Sequence, residues 1–143
     1  MNKIAVVYWS STGNTEEMAA HVAEGAREAG AEVSILPTDE FSADAIDTYD
    51  AIAFGCPSMG DEVLEETEFQ PLWNSVEPKL KGKNIALFGS YGWGDGEWMR
   101  NWEKACQSAG LTLACGCVTC TEEPDDEAKQ SCRVLGAALA NVY

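Results

Sequence analysis

Positive charge is scarce in this chain. Its 143 residues carry nine Lys and Arg against 24 Asp and Glu, with a single His, for a formal charge of −15. Nucleic acids are held by clusters of Lys and Arg set against phosphates, and this sequence has no such cluster, which argues against a nucleic-acid partner. Long apolar runs are lacking as well: the longest, such as residues 4–9 and 85–88, fall far short of the ~18 a membrane span needs. Met1-Asn2-Lys3 leads straight into the first of them, without a signal-peptide core or cleavage site. The expectation is a cytoplasmic protein with no membrane association. Repeats, low-complexity tracts and linker-like breaks are absent too, so residues 1–143 are expected to form one domain.

What is present is ordinary globular material, 45% hydrophobic and 23% charged, which argues against a disordered chain despite the charge. Apolar runs alternate with helix-period segments, the pattern of βαβ units. Strands are expected at residues 4–9, 32–36, 50–55, 84–89 and 111–119. Helices are expected at 16–29, around 42–48, at 62–77 with an interruption near Pro71, at 96–108, and from near Pro124 onward. In the first helix Met18, Val22, Ala26 and Ala29 share a face, with Gly30 closing it. In the last, Ala128, Cys132, Leu135, Leu139 and Val142 do the same. Val33 and Ile35 would face one layer of the second strand. In the fifth strand Leu113, Cys115 and Cys117 alternate with Ala114, Gly116 and Val118. The fold class is therefore α/β, a five-stranded parallel sheet with helices on both faces and right-handed crossovers. Ligands of such sheets bind beyond the carboxyl ends of the strands, which directs attention to the loops there.

The first strand runs through Ser10, Ser11, Thr12, Gly13, Asn14 and Thr15 directly into a helix. Hydroxyls, a carboxamide and a permissive Gly at a helix N-terminus, with its unpaired amides and positive dipole end, make a natural phosphate site. No Lys or Arg lies between Ile4 and Gly25. The Gly-Lys-Ser/Thr ending of a nucleoside-triphosphate loop and the glycine triplet of a dinucleotide loop are both missing. A single terminal phosphate, held by amides and hydroxyls, fits best; the plainer alternative is an N-cap surrounded by loop hydroxyls.

Two further loops suit a flat ring. Strand three leads into Cys56-Pro57-Ser58-Met59-Gly60-Asp61-Glu62, and strand four into Gly89-Ser90-Tyr91-Gly92-Trp93-Gly94-Asp95-Gly96. Glycine lets backbone approach a ligand, Trp93 offers a stacking face, and Met59 supplies a polarisable thioether for the opposite side. Trp98 and Trp102, on the next helix, are expected instead to cover a core edge.

Residues 8–15, Tyr-Trp-Ser-Ser-Thr-Gly-Asn-Thr, resemble the phosphate loop of the flavodoxins, which bind flavin mononucleotide (FMN). The family usually has Gly where Ser11 stands. The Met-Gly-Asp-Glu and Gly-Ser-Tyr-Gly-Trp-Gly-Asp-Gly stretches resemble the ring-carrying loops of its short-chain, low-potential, clostridial-type members. No insertion of about twenty residues interrupts strand five, in keeping with the short-chain form. The resemblance implies a three-layer sandwich with sheet order 2-1-3-4-5. It also implies bound FMN and electron transfer without catalysis on a small substrate. By position, Ser10, Ser11, Thr12, Gly13, Asn14 and Thr15 would hold the phosphate end. Pro57, Ser58, Met59, Gly60, Asp61 and Glu62, with Ser90, Tyr91, Gly92, Trp93, Gly94 and Asp95, would form the ring site. Trp93 would cover the outer face of the ring and Met59 the inner face. Gly60 would turn its carbonyl toward the reduced ring nitrogen N5, and Glu62 would meet the pyrimidine end. A peptide that reverses on reduction needs φ values closed to residues with a Cβ, which only Gly60 offers there.

Two acidic clusters, Asp61, Glu62, Glu65, Glu66 and Glu68, then Glu122, Glu123, Asp125, Asp126 and Glu127, fall at the same end of the sheet. Solvated helix faces and a helix N-terminus account for them without any function. Beside an anionic reduced flavin they would act further. A unit charge at ~10 Å and an effective dielectric of ~20 costs about 1.7 kcal/mol, and about 1.4 kcal/mol corresponds to ~59 mV for one electron. The flavin would then work mainly between semiquinone and hydroquinone, at low potential. The acidic rim would steer redox partner proteins with basic docking surfaces, and the small, highly charged chain would stay a monomer.

The remaining candidates point to no further chemistry. Cys117-Val118-Thr119-Cys120 has no second ligand pair for zinc, and carboxylates follow it, so the cysteines are expected as reduced, mostly buried small hydrophobes. His21 is expected on a helix surface. Neither a catalytic residue nor a metal site is indicated. An FMN-dependent quinone or flavin reductase on the same fold is the alternative, although such enzymes carry extra loops. A phosphoacceptor signalling domain fails, because Gly55-Cys56 and Ser10-Ser11 stand where it needs aspartates.

Overall fold

The computed structural model describes residues 2–59, 63–92 and 94–141. Strands β1 (Lys3–Tyr8), β2 (Glu32–Pro37), β3 (Ala51–Gly55) and β4 (Asn84–Tyr91) lie parallel in the order β2-β1-β3-β4. Beyond β4 the sheet continues as two short pieces, β5 (Thr112–Leu113) and β6 (Val118–Thr121), both parallel to β4. Helices α1 (Asn14–Glu28), α2 (Phe69–Val76), α3 (Glu97–Ser108) and α4 (Asp126–Ala140) cover the two faces.

The strands are apolar on both sides because both sides are covered. Ile4, Val6, Ala53, Ala86 and Phe88 meet Met18 and Val22 of α1 and Cys132, Leu135 and Leu139 of α4. Ala5, Val7, Ile52, Phe54, Ile85 and Leu87 meet Phe69, Trp73 and Val76 of α2 and Trp98, Met99, Trp102 and Cys106 of α3. On this second face Phe54, Trp73, Trp102 and Phe69 meet edge to face, with ring centroids 5.2–5.4 Å apart. Trp98 and Trp102 are thus core residues, as expected. On the first face α1 and α4 cross backbone against backbone. A Cβ at Gly136 would lie 2.0 Å from the Val22 carbonyl oxygen, and one at Gly25 2.0 Å from that of Arg133.

Several sequence expectations need correction. The helix expected at 62–77 is shorter, Phe69–Val76, and Pro71 does not interrupt it. Pro71 sits in the first turn, where a missing N–H is tolerated. The segment expected as a helix at 42–48 is a 3-10 turn, Ala43–Thr48. Ile35 is exposed on the edge strand, and Ala29, just past α1, is exposed too. The fifth strand divides. While β4 advances three residues, from Ile85 to Phe88, its partner advances five, from Leu113 to Val118, so the edge strand bulges at 114–117. The bulge breaks the alternation: Leu113 and Cys117 join the α2/α3 face, whereas Cys115 moves to the α1/α4 face with Ala114 and Val118. Val142 lies outside the described residues.

Candidate functional site

Three loops converge at the carboxyl end of the sheet. In the first, Gly13 takes φ 97°, a left-handed conformation suited to glycine, and starts α1 with no side-chain cap. Its carbonyl accepts the first helical bond, from Glu17 N–H at 2.9 Å, while its own N–H donates to Ser10 Oγ at 3.1 Å. Among non-glycine described residues only Glu122 has positive φ, so Ser11 is accommodated without left-handed backbone. Trp9 N–H donates to the Gly55 carbonyl at 3.0 Å, tying the first loop to the end of β3.

Ser90, at the end of β4, joins all three loops. Its carbonyl accepts Ser58 N–H at 2.9 Å, and its buried hydroxyl lies 3.1 Å from that of Thr15. The loop after β3 closes on itself through reciprocal backbone bonds between Met59 and Val63, at 2.8 and 2.9 Å. Between the loops lies a cavity of about 520 Å³, lined by Ser11, Thr12, Asn14, Pro57, Ser58, Met59, Ser90, Tyr91, Gly92, Glu122 and Glu123. That size suits a cofactor.

Of the residues expected at the site, Ser11, Thr12, Asn14, Pro57, Ser58, Met59, Ser90, Tyr91 and Gly92 meet in this cavity. Ser10 and Gly13 line a second hollow of about 510 Å³ that shares Ser11 and Thr12 with the first, beside Trp9, Glu16, Asp39 and Glu68. Thr15 is buried behind the loop against Ser90. Gly94 does not line the cavity, and Asp95 turns to Arg100, with Arg100 Nη2 2.9 Å from Asp95 Oδ1. Gly60, Asp61, Glu62 and Trp93 lie outside the described residues.

Glu122 and Glu123 line the cavity although the first-loop and ring-loop motifs do not include them. Their signal was positional, since they directly follow the last strand at its carboxyl end. Glu122 takes φ 56°, uncommon for a residue with a Cβ, and its N–H is anchored to the Tyr91 carbonyl at 2.8 Å.

The cysteines are free thiols, with Cys56, Cys106 and Cys132 buried and Cys115, Cys117 and Cys120 half-buried. Burial pushes the Cys120 thiol up to about 11, helped by Asp125 and Glu17. Burial likewise raises Cys117, whose S–H donates to Glu103 at 3.0 Å. These are poor nucleophiles. No metal-holding group of His, Cys, Asp and Glu occurs among the described residues, and no helix there is long and apolar enough to cross a membrane. His21 is half-buried on α1 rather than fully at its surface, with Nδ1 shielded from solvent 3.8 Å from Glu24 of the same helix.

The flavodoxin family model matches residues 6–136. This chain belongs to the flavodoxin family. A flavodoxin of Clostridium beijerinckii is 44% identical over 96% of this chain and 99% of its own length. One from Megasphaera elsdenii is 42% identical over 96% and 98%. The solution structure of the two-electron reduced Megasphaera elsdenii flavodoxin superimposes with a TM-score of 0.89, covering 97% of this chain and 99% of that one. Flavodoxins bind FMN and pass electrons to redox partner proteins; like them, this chain is an electron-transfer protein and not an enzyme. The cavity fits that cofactor. The first turn of α1 has no side-chain cap, and hydroxyls and a carboxamide surround it. Met59 and Tyr91 in the same wall offer apolar faces to a flat ring.

Proposed function

We propose that this flavodoxin is a low-potential one-electron carrier, working its FMN mainly between semiquinone and hydroquinone and donating to partners with basic docking surfaces. The observation that carries the reading is the three-loop cavity with Glu122 and Glu123 in its wall and no Lys or Arg among its lining residues. FMN supplies the one-electron chemistry. The chain's own residues bind, orient and bias it. Ser10, Ser11, Thr12, Gly13, Asn14 and Thr15 would hold the phosphate without a cation. Pro57, Ser58, Met59, Gly60, Asp61 and Glu62 would carry one side of the ring, and Ser90, Tyr91, Gly92, Trp93, Gly94 and Asp95 the other. Within these loops Trp93 and Met59 would flank the ring, Gly60 would offer its carbonyl and Glu62 would meet the pyrimidine end. Fixed carboxylates nearby disfavour a further negative charge, which lowers the second potential.

The same reading takes residues 1–143 as one domain, acting as a cytoplasmic monomer. Two apolar layers sharing one sheet, free thiols and a like-charged surface support it. The test is an anaerobic reductive titration of the FMN-loaded protein followed by absorbance. A blue one-electron form should accumulate and bleach at much lower potential. Gly60→Ala should still bind FMN and accumulate less of that form. Direct two-electron bleaching, above all with NAD(P)H alone, would reject the carrier mechanism in favour of a reductase. Equal yields in parent and Gly60→Ala would reject the role given to Gly60.

A further inference from the structure

Glu65 is the one buried charged side chain among the described residues, 5% exposed. No cation bridges it there. Its carboxylate is satisfied by four donors instead. Oε1 accepts the N–H groups of Glu68 at 2.7 Å and Phe69 at 2.8 Å, and Oε2 accepts Thr67 N–H at 2.8 Å together with the Thr67 hydroxyl. Three of the four are backbone N–H groups, which can only donate. A glutamine would turn its own NH₂ toward at least one of them, so the site calls for a carboxylate. Capping α2 alone needs only a small polar residue at the position of Glu68. Burying an ionised group is a costly way to do the same, and in some proteins such a group serves to specify one arrangement.

The arrangement in question reaches both cofactor loops. Glu65 N–H donates to the buried Cys56 thiol at 3.4 Å, closing the ring loop a second time behind the bonds between Met59 and Val63. The Cys56 carbonyl is held by the Trp98 indole N–H at 3.2 Å. From the turn that Glu65 locks, Glu68 accepts the Trp9 indole N–H at 2.5 Å, at the entrance to the phosphate loop. One carboxylate therefore braces the turn from which both loops are tied.

We propose that Glu65 is a positioning residue for the cofactor site, holding the outgoing limb of the ring loop, and through Glu68 the phosphate loop, in binding geometry before FMN arrives. This rests on FMN occupying the three-loop cavity. The test compares the full-length parent with Glu65→Ala, Glu65→Gln and Thr67→Ala, the last a milder change at an exposed position. The control is Leu139→Ala, a core truncation on the opposite face of the sheet. Amide hydrogen exchange is measured with and without FMN, and FMN dissociation constants by fluorescence quenching. Without FMN, Met59 and Val63 amides should exchange at least tenfold faster in both Glu65 variants than in Leu139→Ala. The FMN dissociation constant should rise at least tenfold in the Glu65 variants, rise less in Thr67→Ala, and change less than threefold in Leu139→Ala. Unchanged protection at Met59 and Val63, or FMN binding within threefold of the parent, overturns the proposal. A parent that fails to bind FMN would instead overturn the reading of the cavity, while the exchange data still decide whether Glu65 braces the loop.

Discussion

At the scale of the residue, Glu65 exchanges hydration for four protein hydrogen bonds, and the balance of the two sets its acidity. Burial alone pushes its pKa up. The Thr67 hydroxyl and the N–H groups of Phe69, Thr67 and Glu68 push it down further, leaving it below the usual 4.5. A folded-state pKa that is depressed gives stability present in full above the unfolded value and lost as pH falls through the folded one. The urea stability gap between the parent and Glu65→Gln should therefore hold steady from pH 7 to about 5 and shrink on further acidification. A gap that widened in acid would contradict this sign. In the sequence Glu65 is one of five carboxylates in a row of similar residues, and nothing in the row distinguishes it. Glu66 and Glu68 are exposed while Glu65 is buried, a difference made by the chain reversing over Cys56.

At the scale of the element, period alone located the strands and helices whose neighbours lie on both sides. Met18, Val22, Cys132, Leu135 and Leu139 face the sheet as their spacing requires. The spacing is silent on how closely two helices approach. That is decided where Gly25 and Gly136 let α1 and α4 meet carbonyl against Cα. Gly136→Ala places a methyl within 2.0 Å of the Val22 oxygen, and such overpacking should cost about 1–3 kcal/mol. Urea unfolding checks it, with Gly116→Ala, at an exposed glycine with open space around its Cα, as the contrasting variant. The fifth strand shows where period fails. An edge strand has one partner, so its register can slip by two residues without breaking a second ladder, and the regular alternation of 111–119 gave no sign of it.

At the scale of the whole molecule, a charge of −15 acts in two opposite directions. It destabilises the compact chain by self-repulsion and would accelerate encounter with any cationic partner. Raising salt from about 10 mM to about 1 M shortens the screening length from roughly 30 to 3 Å. Thermal stability at pH 7 should rise over that range. Electron transfer to a basic partner should slow, by tenfold or more. Stopped-flow reduction of a basic cytochrome beside a melting curve checks both. A rate independent of salt would remove the acidic rim from partner docking.

The sequence by itself determined the α/β class, the two-sided burial of the sheet, the hydroxyl-rich first loop without a cation and the family. Each is written in local order: apolar period, a hydroxyl-rich turn before a helix, glycines beside aromatics. Only the tertiary structure decided that Ser90 joins three loops, that Glu122 and Glu123 enter the cavity wall, that Asp95 turns away to Arg100, and that Glu65 is buried. Those outcomes depend on which distant segments meet, and a hydroxyl or carboxylate has the same local signature whether it faces water or a partner many residues away in the chain.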